Sequence, residues 1–294
     1  MDRGPDPRRS AGEAVLAQLV AEGTGDDEAA EVVRDGAALL LLRGRALVRV
    51  RLVEDSAVAY REVEFAVALE KLGVPVTTLL RPDDQPGILG GCVVTAWRWS
   101  EGGGPVTDSD LGRLARTLRE RTAETVGTVP TFDPIEAVLG AVAHLPTDDG
   151  EAAFVRSRAA ELASAWADAA GADPLGRAFV HGDLHIGNVV AGRTGPMLTD
   201  LELMGAGPPS YDAAPAVVAV VRYGADPAGL DSFMVGFGED PRRWVGFATF
   251  VAVYELWVTA WAIGVRHQDS TWAEEAALRV ATLRDGSDQT WTLR

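Results

Sequence analysis

The stretch His181-Gly182-Asp183-Leu184-His185-Ile186-Gly187-Asn188, followed closely by Asp200-Leu201-Glu202, sets the tightest limit on how this chain folds. It gathers two of the chain's four histidines and a group of acids around an apolar pair of runs. Val189-Val190-Ala191 and Met197-Leu198-Thr199, joined by Gly192-Arg193-Thr194-Gly195, read as a small hairpin. That hairpin places Asn188 and Asp200 at neighbouring ends of paired strands, where both can reach one metal ion. A fold that contains this segment must hold the loop before it and support the hairpin after it.

The 294 residues suffice for one large domain or two lobes sharing a cleft. With 47% hydrophobic and 24% charged residues, the chain has the composition of an ordinary globular protein. The net charge of −16 argues against a nucleic-acid partner, which needs basic patches, and favours encounter with a cationic small molecule. The lone Cys92 excludes an intrachain disulfide and fits a reducing cytoplasm, and the charged, Pro-rich start from Met1 to Ser10 does not read as a signal peptide. Trp244 to Val265 is long and apolar enough to span a membrane, but Glu255 in its middle would be costly in lipid. A buried helix is expected there, with no membrane partner.

Upstream, Glu13 to Glu22 has helical spacing. Three strand-like runs follow, Ala30 to Arg34, Ala37 to Leu42 and Ala46 to Val53, with turns at Asp35-Gly36 and Arg43-Gly44. Alternation in the third puts Arg49 and Arg51 on one face and Val48, Val50 and Leu52 on the other. Tyr60 to Leu72 reads as a helix stopped by Gly73 and Pro75, with Glu62 on the same face as Phe65, Ala66, Leu69 and Leu72. A carboxylate on an apolar face needs a partner, and an arginine of the preceding strand supplies one. Arg49 is the choice over Arg51.

Cys92 to Ala96 is expected to be a buried strand, running through Trp97-Arg98-Trp99 into a Gly/Pro-rich link that suits a hinge between lobes. Helices are then expected at Asp110 to Glu124, capped by Asp108 or Ser109, at Ile135 to His144, at Gly150 to Ala170, and over most of Pro215 to Arg294. The division expected is residues 1–96 as an N-terminal lobe and 97–294 as a C-terminal lobe.

Phosphoryl transfer asks little of a protein: a carboxylate to orient or deprotonate the acceptor hydroxyl, oxygen ligands for Mg²⁺, and a cation for the nucleotide phosphates. In the protein-kinase catalytic loop, H-R-D-x-x-x-x-N, the metal-binding Asn follows the base by five residues, the spacing of Asp183 and Asn188. An Asp on a following short strand also holds the metal, and Asp200 fits. The motif His181-Gly182-Asp183-Leu184-His185-x-x-Asn188 with Asp200-x-Glu202 resembles the signature of the aminoglycoside phosphotransferase (APH) and choline kinase-like family, small-molecule relatives of the protein kinases. The resemblance runs from roughly Glu31 to Trp272, strongest in the motif itself.

The resemblance implies an α+β, two-lobed protein-kinase-like fold, with a small antiparallel sheet lobe and a mainly helical lobe. It implies ATP or another nucleoside triphosphate, Mg²⁺, and transfer of the γ-phosphate to a hydroxyl of a small, cationic molecule such as an aminoglycoside, by a cytoplasmic monomer or homodimer. It casts Asp183 as the base, Asn188 and Asp200 as metal ligands, and Arg49, paired with Glu62, in place of the family's lysine. The backbone of Ala96, Trp97, Arg98 and Trp99 would meet the adenine edge, and Asp212 would support the catalytic loop. Three departures stand out. The only lysine, Lys71, sits on the polar face of its helix; no G-x-G-x-x-G is present; and Glu202 stands where protein kinases have the glycine of D-F-G. Glu202 then either helps with metal or satisfies a backbone group. Glu255 either binds a substrate amine in a cavity or pairs with an arginine. A metabolic choline- or amino-alcohol-type kinase, an inactive kinase-like binding module, and an H-x-D-x-H metal site at His181, Asp183 and His185 are the competing readings.

Overall fold

The computed structural model describes residues 6–23, 29–100, 103–267 and 270–292. Residues 1–5 of the charged start, and Glu101 and Gly102 of the expected link, lie outside the described residues. Along the chain run α1 (Pro7–Ala21), β1 (Glu31–Asp35), β2 (Leu39–Arg43), β3 (Ala46–Leu52), α2 (Ser56–Lys71), β4 (Gly87–Leu89) and β5 (Cys92–Arg98). Then come α3 (Asp108–Thr122), α4 (Pro134–Ala141), α5 (Gly150–Gly171), β6 (Ala178–Val180), β7 (Val189–Gly192), β8 (Gly195–Leu198) and β9 (Gly205–Gly207). The chain closes with α6 (Ala214–Tyr223), α7 (Pro227–Phe237), α8 (Phe247–Val265) and α9 (Ser270–Asp285). The fold is α+β: an N-terminal antiparallel sheet followed by a mainly helical part. It divides into one compact unit of Met1–Val106 with Gly187–Glu202, and a second of Thr107–Ile186 with Leu203–Arg294.

In the first unit the five strands lie in the order β1-β2-β3-β5-β4. The expected alternation holds on β3. Val48 and Val50 are fully buried and join Leu39, Leu41, Val94 and Ala96 in a core closed by Leu16 and Leu19 of α1. Each fully buried Val or Leu contributes about 1.5–3 kcal/mol. Arg49 and Arg51, opposite Thr95 and Val93 of β5, take the other face. There α2 buries Glu62, Phe65 and Leu69. The β7–β8 hairpin pairs Val189 with Leu198 and Val190 with Met197. It is tied to the segment after α2, because Leu198 N–H donates to Pro75 O (3.0 Å) and Thr77 N–H to Leu198 O (2.9 Å).

Helical periodicity and capping account for most of the second unit. The cap of α3 is Thr107, not Asp108 or Ser109: Thr107 and Asp110 form a reciprocal capping box, which starts the helix at Asp108, two residues before the expected Asp110. The short strands β4, β6 and β9 were not expected. Three residues carry no readable alternation, and Gly205-Ala206-Gly207 offers no apolar pattern at all. The expected helix over Trp244 to Val265 begins at Phe247. Nine of its 19 residues are buried, and it packs on α4, α5, α6 and α9. By length and composition it is the one helix among the described residues able to cross a membrane, and its packing makes it a core helix of this unit.

The backbones of α3 and α7 approach closely at two glycines. A Cβ on Gly112 would lie 2.2 Å from Phe233 O and 2.7 Å from Phe237 N; one on Gly236 would lie 2.3 Å from Ser109 O. Backbone cannot yield as a flexible side chain can, so Gly112→Ala is expected to destabilise the protein by about 2–3 kcal/mol, read from the urea midpoint at unchanged m value.

Candidate active site

In the second unit, the segment after β6 carries the loop that begins at His181. Gly182 has φ of +86°, and a Cβ there would meet Phe132 Cε2 at 2.7 Å and Leu203 Cβ at 3.1 Å. Only glycine meets both demands. The loop backbone is fastened by Asp212: His181 N–H donates to Oδ2 (2.9 Å) and Gly182 N–H to Oδ1 (3.0 Å). Burial pushes Asp212 up to about 6, against the pull of His181 and of these two N–H groups. His181 is fully buried, and its Nδ1 accepts from Asp183 N–H at 3.4 Å. His181 and Asp212 therefore shape the loop.

Asp183 projects from this loop. Its Oδ1 accepts from the phenol of Tyr254 on α8 (2.7 Å), and its Oδ2 lies 3.6 Å from His185 Nε2. Burial works against the carboxylate charge, but His185 and then Tyr254 outweigh it and hold Asp183 below its ordinary range. Asp183 is thus ionised near neutrality, the state a general base or orienting carboxylate needs. Nothing in the sequence singled out Tyr254 within the apolar run from Trp244 to Val265. No local pattern links it to a loop 71 residues earlier.

The first unit holds a charged cluster. Arg49 Nη1 donates to Glu62 Oε1 and lies 3.4 Å from Asp200 Oδ1. Arg51 Nη2 is 2.8 Å from Glu202 Oε2 and 3.6 Å from Glu62 Oε2. Arg61 donates to the backbone oxygen of Glu202 (3.3 Å). The choice of Arg49 as the hydrogen-bonded partner of Glu62 agrees with this geometry, yet both arginines face the same glutamate. The Arg51–Glu202 pair was not foreseen and gives Glu202 a side-chain cation in addition to the metal and backbone settings considered for it. Burial disfavours the Arg49 charge, but Glu62, Asp200 and Glu202 hold its pKa above the ordinary value. Burial likewise pushes Glu62 up, against Arg49 and Arg51.

The donor set here suits a hard divalent cation. Carboxylate oxygens of Glu62, Asp200 and Glu202 lie within 4.8 Å of one another, and Glu62 Oε2 is buried with no hydrogen-bond partner. Asn188, a buried amide at the start of the hairpin, has its backbone oxygen fixed by Thr199 N–H (3.1 Å), which brings it beside the segment that ends in Asp200. Asp200 itself has φ of +61°, a left-handed conformation that Asp tolerates better than most residues. It turns the chain sharply at the end of the hairpin. Burial and then Asp200 push Glu202 up to about 7, opposed by Arg51.

The backbone expected to meet the adenine edge, Ala96 to Trp99, makes hydrogen bonds within the first unit, and Glu255 has a partner within the second. Ala96 N–H donates to Gln85 Oε1 (2.6 Å), and Ala96 O accepts from Leu80 N–H (2.9 Å) and Gln85 Nε2 (3.0 Å). The N–H groups of Arg98 and Trp99 donate to Thr78 O and Arg45 O, each at 2.8 Å. Of the two settings open to Glu255, the structure has the ion pair: Arg222 Nε lies 2.5 Å from Oε1, and Arg222 also donates to Ser287 O (2.7 Å). A carboxylate so held does not stand free for an acceptor amine.

The profile of the phosphotransferase enzyme family (APH) matches residues 33–247. No curated protein sequence matches the chain significantly. Among solved structures, a choline/ethanolamine kinase family protein from Mesorhizobium loti is similar at 20% identity and a TM-score of 0.60, over 93% of each chain. The amicoumacin kinase hAmiN, solved with AMP-PNP, Ca²⁺ and Ami, is similar at 14% identity and a TM-score of 0.61, over 95% of this chain and 98% of that one. The aminoglycoside phosphotransferase APH(3'')-Id from Streptomyces rimosus is similar at 18% identity and a TM-score of 0.60, over 83% and 98%. These likenesses establish the kinase-like fold.

A cation bound at Asp200 and Glu202 must displace the proton that Glu202 carries below its raised pKa. Binding of Mn²⁺, counted by electron paramagnetic resonance, is therefore expected to tighten as pH rises toward about 7 and to level above it. The steepest slope is roughly tenfold per pH unit, and Glu202→Gln should flatten it.

Proposed function

The chain belongs to the phosphotransferase enzyme family, and we propose that it is an ATP-dependent kinase that phosphorylates a hydroxyl of a small cationic molecule, an aminoglycoside or another cationic antibiotic. The observation that carries this reading is Asp183, a carboxylate held ionised in a loop that Asp212 fastens, five residues before Asn188. In this proposal residues 1–96 serve nucleotide binding and 97–294 serve catalysis and acceptor binding. The setting is the cytoplasm, where ATP is present and Cys92 stays a thiol.

Asp183 orients the acceptor hydroxyl and takes its proton as the oxygen bonds to the γ-phosphorus. The bond from that phosphorus to the β–γ bridging oxygen breaks, and ADP leaves. Arg49, held by Glu62, steadies the phosphate oxygens; its guanidinium keeps its charge at any working pH and can grip phosphate and carboxylate together. Mg²⁺, for which Asn188 and Asp200 are the proposed ligands, would offset the negative charge on the nucleotide phosphates. The backbone of Ala96, Trp97, Arg98 and Trp99, at the end of β5, is the segment proposed to meet the adenine edge. The acidity of the chain, with net charge −16, supports a cationic acceptor.

Asp183→Ala is expected to lower kcat by roughly 10²–10⁴-fold while nucleotide still binds; full activity would remove the mechanism. Asp200→Ala should abolish the Mg²⁺-dependent part of nucleotide affinity, measured by calorimetry. Arg49→Ala should weaken nucleotide binding more than Arg51→Ala, and the reverse order would move the phosphate-binding role to Arg51. A coupled ADP-release assay across aminoglycosides, other cationic antibiotics and amino-alcohols tests the acceptor. Turnover of amino-alcohols alone would favour a choline-type enzyme, and no turnover or ATP hydrolysis would favour a binding module.

A further inference from the structure

We infer that Tyr254 is a positioning residue for the base: its phenol holds Asp183 through Oδ1 and so sets the orientation of the carboxylate that meets the acceptor hydroxyl. This rests on the assignment of Asp183 above. Tyr254 is only 4% exposed, and its Oη donates to Asp183 Oδ1 at 2.7 Å. The ring is held edge-on by Tyr211, with centroids 6.3 Å apart, and Tyr211 in turn packs on Phe250 and Trp166. Burial and the charge of Asp183 push the phenol well above its ordinary pKa, so it stays a donor at every working pH.

The two sides of the carboxylate differ. Oδ1 faces this packed aromatic wall. Oδ2 lies 3.6 Å from Nε2 of His185, whose side chain is 45% exposed. The charged or titratable groups around Asp183 are His181 and His185 on its own loop, Tyr211 and Asp212 after β9, Tyr223 on α6 and Tyr254 on α8. At 2.7 Å the Tyr254 phenol bond is shorter than the bond from Asp183 N–H to His181 Nδ1 (3.4 Å) and than the 3.6 Å separation of Oδ2 from His185 Nε2. A carboxylate held by the phenol at Oδ1 cannot rotate freely about its terminal torsion, so it is presented in one orientation. Pre-orienting a reacting group in this way acts on the rate of the chemical step more than on binding.

Tyr254→Phe removes one hydroxyl and keeps the ring. It is expected to lower kcat roughly ten- to a hundredfold, the scale of a hydrogen bond to a charged group, while the KM values for ATP and acceptor stay within about twofold. The acid limb of the kcat/KM profile should move to higher pH, because Asp183 loses a donor that favours its ionised form. Tyr254→3-fluorotyrosine, which keeps the bond and strengthens the donor, should retain most of kcat and move that limb to lower pH; it also serves as the test where the Phe variant folds poorly. An unchanged kcat in Tyr254→Phe, a loss confined to the acceptor KM, or an acid limb that stays in place in the variant measured would overturn the inference. Full activity in Asp183→Ala would instead remove the base assignment itself. An inactive Asp183→Ala beside an unaffected Tyr254→Phe would remove only the role of Tyr254.

Discussion

A buried glutamate governs the first unit. Glu62 is 1% exposed, and a lone carboxylate there would cost several kcal/mol or stay protonated. Two guanidiniums from alternate positions of β3 answer it, and that requirement fixes which face of the strand meets α2. The same guanidiniums reach the end of the β7–β8 hairpin through Asp200 and Glu202. Sheet, helix and hairpin are thus joined by one set of charges, in which three carboxylates face two guanidiniums. Once Glu202 has given up its proton, the cluster is receptive to a further cation. Arg49 does not stand alone here: a second arginine, Arg51, and a further acid, Glu202, accompany its pair with Glu62.

The second unit solves a different problem, which is to keep a polar loop rigid beside an aromatic core. Asp212 takes two consecutive backbone N–H groups, and Gly182 supplies the one backbone conformation that lets the loop pass Phe132 and Leu203. Tyr211 stands next to Asp212 in sequence and packs against Phe132, Trp166, Phe250 and Tyr254. The packing that stabilises the helical core therefore also sets the loop. Mutations in that aromatic group would reach Asp183 without touching it.

The motif residues were legible because their spacing is short and their chemistry specific: Asp183, Asn188 and Asp200 lie within one loop and one hairpin. Glu62 was legible because a helix repeats about every 3.6 residues, which exposed a charge on an apolar face. The bond from Tyr254 to Asp183 was not, since it joins positions with no shared local pattern. The Gln85 amide that occupies both backbone groups of Ala96 was equally hidden, because the strand signal says nothing about what pairs with its edge. The short strands β4, β6 and β9 arise from tertiary pairing and leave too few residues for a period to appear. For Glu255 the sequence framed two settings, and only the position of Arg222 decides between them.

The guanidinium at position 49 also changes what covalent labelling can see. Reagents that mark nucleotide sites by acylating an amine need a nucleophilic lysine near the phosphates. A guanidinium is not a nucleophile near neutral pH, and the one lysine, Lys71, is exposed at the last turn of α2. An amine-directed probe would decorate the outside of that helix and leave the charged cluster unmarked.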